Sequence, residues 1–387
     1  MKFAQGTWIL FFHKNHQNES QKLFESFQFC SKSFSITVEP PNNHPHICRN
    51  EEDFVNEFAK ITGLSQYKII VIILSRAEKR FYKTIKNAII TKYGIASQVV
   101  LKENFSKGNS YFSNVLLQMN SKLCGELFRL NIHKNISNKV KFFYKIKGMI
   151  VGLDCSKKMT GKKLSREYTA VASYDTGCSK YYSTVDNDGG STMICPVATL
   201  IHSCIKNYSI QRNEYPLYIF IYRSGVSDRE KVLVKEIEVK SLINYFITEN
   251  YIKDYFPKFC YILVNKTSDF KFFDGEIGKD LKNPSEGMIV DTDICNPDSY
   301  EFYLQPQYVN SGTATPTHFD VIYDSTKIPV EILESCTYYL CYYYWNWSGA
   351  IRIPAPLKYA EVCSKFSNVN LDVEVSDEKL KNSPYYI

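Results

Sequence analysis

The sequence predicts an α/β protein of two domains. Its 387 residues, 44% of them apolar, supply enough hydrophobic side chain for more than one core. The first third alternates strand-like apolar runs with helical periodicity, and beyond Gly148 strands follow one another directly before helices resume.

In the first domain, placed at residues 1–147, strands are expected at 7–12 and 35–38, the second ended by Pro40-Pro41. Phe54, Phe58 and Ile61 stand at helical spacing within 50–64. Residues 67–74 form a run rich in Ile and Val, as a parallel strand buried on both faces requires. Ser75 and Glu78 make a capping box, opening a helix that Gly94 can close in the left-handed conformation. A strand follows at 97–101, and Ser110 is expected to cap a helix ending near Gly125. This order is Rossmann-like. Residues 133–147, basic and poor in Gly and Pro, read as a connecting strand or ribbon.

The second domain, 148–387, opens with strands at 149–153, 169–174 and 181–185, then a helix with Pro196 near its first turn. A strand at 217–222, a long helix at 228–248, a strand at 259–264 and helices at 329–347 and 356–366 complete it. That order suits a ribonuclease H-like sheet.

Composition narrows the partners. The net charge of +7, from 47 basic and 40 acidic residues, favours a polyanion such as nucleic acid. The 12 cysteines are scattered, without a CxxC pair or an export signal before them. Reduced thiols of the cytosol or nucleus are expected, rather than a disulfide framework or zinc ribbon. No apolar run of about 18 residues suggests a membrane span.

Several blocks carry a family resemblance: Tyr222-Arg223-Ser224-Gly225-Val226-Ser227, Phe302-Tyr303-Leu304-Gln305, Gly312-Thr313, Pro316-Thr317-His318 and Ile353-Pro354-Ala355-Pro356. In order and spacing they resemble the PIWI domain of Argonaute/Piwi proteins. The resemblance reaches back to Trp8, which implies a Rossmann-like MID domain followed by a ribonuclease H-like PIWI domain. It does not include the family's N and PAZ domains, so a protein supplying such a lobe is an expected partner.

The first domain holds its own constellation. Tyr82 and Lys86 lie four apart on one predicted helix, Gln118 and Lys122 four apart on another, and Gln98 starts the strand between. Two ammonium groups, a hydroxyl and two amides suit a terminal phosphate. The resemblance implies that these residues form the family's 5′-phosphate pocket for a small guide RNA, with Tyr82 against the first base. Gln118, where many Argonautes carry a lysine, resembles the Piwi branch. That likeness implies a Mg²⁺ held by the phosphate, Gln118 and the terminal carboxylate of Ile387, a hard-oxygen set.

The resemblance also locates a slicing centre, which needs carboxylates to clamp two metal ions. Asp154 matches the family's first aspartate, Ser224 stands where the second belongs, and Glu361 falls where a histidine is usual. Counting from Ala172-Ser173 to the family's loop glutamate lands near Met193, with Asp186 and Asp188 just before it. A silent centre is expected, in a protein that binds guide and complementary target nucleic acid for gene silencing. Two other readings remain open: a Mg-dependent endonuclease using Asp154, Glu361 and a loop acid, and an RNA-free scaffold or half of a split Argonaute. The aromatic run 338–345 is expected in the core, His318 as a scaffold residue, and His44 and His46 in a Pro-rich loop. The segment Gly312-Thr313-Ala314-Thr315-Pro316 carries Thr315 where the family has an arginine near guide phosphates, and Lys157, Lys158, Lys162 and Lys163 are expected to add nonspecific phosphate attraction.

Overall fold

Six consecutive aliphatic residues leave a strand no polar face, and every residue of β5 (Ile69–Leu74) is buried. Around it, in a computed structural model, β4 (His46–Cys48), β2 (Trp8–His13), β5 and β6 (Ala96–Leu101) form an all-parallel sheet in the order β4-β2-β5-β6. A separate parallel pair joins β1 (Lys2–Phe3) to β3 (Thr37–Val38). The structure describes residues 2–3, 6–41, 46–48, 53–61, 63–128, 147–160, 163–187, 196–247, 255–276, 278–371 and 375–387. His44, residues 133–146, Lys162, Asp188 and Met193 lie outside them.

The helix Gln17–Ser31, absent from the strand-centred expectation, buries Leu23, Phe27 and Cys30 at helical spacing. The Ser75–Glu78 capping box forms: Ser75 N–H donates to Glu78 Oε2 at 2.5 Å and Glu78 N–H to Ser75 Oγ at 3.3 Å. The helical segment it opens runs through a 3₁₀ turn (Ala77–Phe81), an α-helix (Tyr82–Asn87) and a π turn (Ala88–Tyr93), closed by left-handed Gly94. The next helix, Asn109–Lys122, begins at Gly108 without a side-chain cap, so Ser110 does not cap it. Residue 110 already lies one position inside the first turn.

The second sheet has the order β12-β13-β14-β11-β10-β7-β8-β9. Its strands are β7 (Gly148–Thr160), β8 (Lys163–Ser173), β9 (Tyr181–Asn187), β10 (Tyr218–Ser224), β11 (Lys258–Asn265), β12 (Met288–Val290), β13 (Tyr300–Gln305) and β14 (Thr317–Asp324). β7, β10 and β11 pair in parallel and the outer strands pair antiparallel. This is the mixed sheet of a ribonuclease H-like fold. Its helices include Val197–Arg212, preceded by Pro196, and Ala355–Asn370. The expected long helix divides into Asp228–Val234, a π turn Lys235–Val239 and Lys240–Ile247. Val330–Leu340 stops before the aromatic run ends, yet Tyr343, Tyr344 and Trp345 are buried as expected of core residues.

The chain forms two compact units, Met1–Phe128 with Lys365–Ile387, and Arg129–Ser364. Each has its own apolar cluster, one around Phe11, Phe58 and Ile72, the other around Val151, Ile201 and Ile221. Among the described residues no two cysteines are bridged, and no helix is long and apolar enough to cross a membrane.

Candidate functional site

In the first unit the strand tip of β6 gathers both helical lysines. Lys86 Nζ donates to Ser97 O at 2.6 Å and Ser97 Oγ at 2.9 Å. Lys122 Nζ donates to the same carbonyl at 2.9 Å and to Gln98 Oε1 at 2.7 Å. Gln98 Nε2 in turn donates to Gln118 Oε1 at 2.9 Å. The Lys86 ammonium lies 5.6 Å from the centre of the Tyr82 ring. Tyr82, Lys86, Gln98, Gln118 and Lys122, predicted from their spacing, therefore converge. Ser97 joins them unpredicted; its place beside Gln98 at the strand start is the signal that marks it in the sequence.

The electrostatics are unusual for lysines. Lys86 and Lys122 are each only 2% exposed, and among the described residues neither makes an ion pair. Burial lowers the Lys86 ammonium to about 7. Burial, and then the charge of Lys86, lowers Lys122 well below the ordinary lysine range. Burial also lifts the Tyr82 phenol to about 12, which keeps it a neutral donor. An ammonium has three N–H donors. Each lysine spends two on the protein and keeps one. Two adjacent buried lysine amines, with no carboxylate partner among the described residues, have N–H donors and latent charge to offer an anion.

The tail from Lys365 belongs to this same unit. Asp377 approaches Gly94, and the Cys124 thiol donates to Asn382 O at 3.1 Å. Cys124 stands at φ 57, where glycine would be unstrained. The next residue must be glycine, because a Cβ on Gly125 would fall 2.1 Å from the Asn120 side-chain oxygen. The tail ends at half-buried Ile387, whose amide donates to Pro384 O at 3.3 Å.

In the second unit the register that sets Arg223 beside Leu153 brings Ser224 level with Asp154. Ser224 Oγ donates to Asp154 Oδ1 at 2.6 Å. Arg223 points elsewhere, buried in an ion pair with Glu238 at 3.0 and 3.1 Å, a partner 15 residues away that no motif announces. Gly152 admits the helix Ala355–Asn370 closely: a Cβ there would lie 2.2 Å from Pro356 backbone. On that helix Glu361 is held by Lys266 at 2.5 Å and by Lys358 at 3.7 Å. Two lysines neutralise the one acid offered as a substitute ligand. Asp154 faces a neutral hydroxyl where a second carboxylate would be needed, so among the described residues the acid set of a two-metal centre is not assembled around Asp154. Among the described residues, only His13, His16 and Glu78 bring three metal-ligating side chains together. His318 is indeed a scaffold residue, bonded to Glu301 at 2.8 Å and stacked on Tyr303. At Thr315, which stands where the resemblance has an arginine, Lys271 donates to Oγ1 and Arg352 to the carbonyl oxygen, so two cations lie beside that position.

A family model described as "Piwi domain" matches residues 69–371. The chain belongs to the Piwi domain family. Over 298 residues it is 32% identical to Piwi-like protein 1 of Gallus gallus, covering 76% of this chain and 32% of that protein. It thus spans about a third of the length of that curated relative. Drosophila Piwi superposes with a TM-score of 0.85 at 24% identity over 100% of this chain and 51% of that one. Kluyveromyces polysporus Argonaute, solved with a guide RNA, gives 0.83 at 21% identity over 100% and 51%. By these likenesses the parallel sheet is that of a MID fold and the mixed sheet that of a PIWI fold.

Proposed function

We propose that this chain binds the 5′-phosphorylated end of a small guide RNA in its first unit and displays the guide for pairing with a complementary target, silencing without cutting. The observation that carries this reading is the pair of buried lysines, each with a spare N–H when protonated and neither, among the described residues, with a carboxylate partner. A phosphate monoester supplies the missing negative charge and acceptor oxygens. In this reading Tyr82, whose ring centre lies 5.6 Å from the Lys86 ammonium, covers the first base, and Gln98, tied to Gln118, orients Lys122 toward the ligand. The guide-bound state of the Kluyveromyces relative supports the ligand class.

The reading extends to a Mg²⁺ held by the phosphate, Gln118 and the carboxylate of Ile387: Gln118 Oε1 accepts one hydrogen bond and retains a lone pair, and Ile387 folds in the same unit. When bound, such an ion neutralises phosphate charge. The protein's own part is to present these oxygens and the two ammonium groups. The proposed division at 147/148 takes one amendment: residues 365–387 fold with the guide-binding unit, and the ribonuclease H-like sheet lies within 148–364. A protein supplying an N/PAZ-like lobe is a proposed partner, in the cytosol or nucleus.

The second unit's centre is proposed to be silent, because Ser224 occupies the bond to Asp154 and Glu361 is spent on lysines. The test is comparative binding of 5′-phosphate and 5′-hydroxyl RNA, with cleavage of a complementary strand assayed in Mg²⁺ and Mn²⁺. Phosphate-selective binding without product is expected. Equal affinity for the two RNAs ends the guide reading, and product that disappears with Asp154→Ala ends the silent-centre reading.

A further inference from the structure

The carboxyl ends of β2 and β5 lie side by side, Phe12 opposite Ile73, so the chain leaves both strands at the same edge of the parallel sheet. Ligands of such sheets gather at that edge. There His13 ends β2, His16 closes the following 3₁₀ turn, and Glu78 stands in the turn after β5. One ligand atom from each lies within 4.8 Å of the others. His16 and Glu78 are 3% and 4% exposed, and His16 Nδ1, 4.0 Å from Glu78 Oε2, has no hydrogen-bond partner. A buried imidazole nitrogen without a partner, facing a buried carboxylate, is costly unless something sits between them.

We propose that His13, His16 and Glu78 bind a divalent ion of the zinc type. Two imidazoles and one carboxylate, with a fourth position left to water, suit zinc. Bonds of about 2.0–2.1 Å at tetrahedral angles hold ligand atoms roughly 3.4 Å apart. The 4.0 Å gap between His16 and Glu78 needs a contraction of roughly 0.6 Å, and the widest gap in the trio, at most 4.8 Å, one of up to roughly 1.4 Å. Binding through His13 Nε2 keeps the 3.3 Å bond from Asn15 N–H to His13 Nδ1, and binding through Nδ1 surrenders it. That bond is long and exposed, worth about 1 kcal/mol at most. Glu78 keeps its bond from Ser75 N–H, so the carboxylate is already oriented. The ion would tie the exit of β2 to the turn that leads into the helix of Tyr82 and Lys86. The binding itself is independent of any guide.

The test uses the whole chain, stripped with chelator and free of nucleic acid, titrated with Zn²⁺ against a chromogenic competitor and with Co²⁺ by absorption. His13→Asn removes the outermost ligand and keeps a side chain that can cap the turn, so the variant folds. The expected result is one ion per chain in the native sequence, a tetrahedral Co²⁺ spectrum without thiolate charge transfer, and at least ~100-fold weaker binding in His13→Asn. Equal binding by both proteins overturns the proposal. So does a thiolate spectrum, or failure of the native chain to compete for Zn²⁺.

Discussion

The two polar centres of this chain are opposites in how their charges are settled. In the first unit two buried lysine amines share one carbonyl and, among the described residues, pair with no acid. In the second, polar groups are paired off: Asp154 accepts the neutral Ser224 hydroxyl, Glu361 pairs with two lysines and Arg223 with buried Glu238. Unsettled charge costs stability and creates a need for ligand. Settled charge stabilises and creates none. By this criterion the first centre is built to bind and the second to stay as it is.

The largest expected effect breaks the first centre. Lys86→Met with Lys122→Met removes two charge-assisted hydrogen bonds to phosphate, each worth about 1.5–3 kcal/mol. Preference for 5′-phosphate over 5′-hydroxyl RNA should fall by about 10²–10⁴-fold in fluorescence anisotropy. The free protein should at the same time melt higher, since two uncompensated buried ammoniums are replaced by apolar chains of similar length. Lower melting with preserved selectivity would mean the lysines hold the fold and not the ligand.

Next in size, Ser224→Asp unsettles the second centre. A carboxylate replacing the hydroxyl 2.6 Å from Asp154 Oδ1 sets like charges together, and the chelated variant should lose about 1–3 kcal/mol. Mn²⁺ should restore its melting temperature and leave the native chain unmoved. Cleavage should not return, because Glu361 stays bound to Lys266 and Lys358. A variant indifferent to Mn²⁺ would show that the pair does not face one site.

Much of this contrast is legible in the amino-acid sequence. The apolar run of β5, the capping box at Ser75 and the i, i+4 pairs at Tyr82/Lys86 and Gln118/Lys122 are local, and local patterns survive folding. Ser224 is readable because a residue type can be missing from a motif. The features that escape such reading depend on long-range register. Lys266 stands 95 residues from Glu361, and nothing near either announces the other. The π turn at Ala88–Tyr93 is set by packing, and β12 to β14 show in the sequence only as motif blocks. The helix Gln17–Ser31 does carry a signal, Leu23, Phe27 and Cys30 at helical spacing, but polar residues between them weaken it beside the apolar strands on either side.

The pH dependence sharpens the comparison further. Unfolded lysine titrates near 10.5, whereas folded Lys86 does so at about 7, so between these values the unfolded chain holds more protons. Stability of the free protein should therefore rise with pH from about 7 upward, the burial penalty being fully present below it. Phosphate binding runs the other way. It needs the ammonium, so affinity should fall above pH 7 by up to about tenfold per pH unit for each proton taken up. Below about pH 6 the phosphate loses its second charge and affinity falls again. Calorimetry in buffers of different ionisation heat should register proton uptake at pH 8. Affinity flat from pH 6 to 9 would place both lysines outside the site.

The smallest effect concerns what joins the tail to the first centre. Cys124→Gly relieves a non-glycine residue at φ 57, a gain of about 1 kcal/mol. It also frees the unfolded chain, costing about 0.5–1 kcal/mol, and deletes the thiol bond to Asn382 O, a weak one. These terms nearly cancel, so the melting temperature should move little. Guide affinity in Mg²⁺ is the sharper readout. If the thiol helps seat the tail that ends in Ile387, the variant loses about two- to threefold in Mg²⁺, as a bond of about 0.5 kcal/mol implies, and nothing in chelator. Equal loss in both conditions would assign the thiol to the lysine pocket, and no loss in either would leave Cys124 a strained residue without a part in binding.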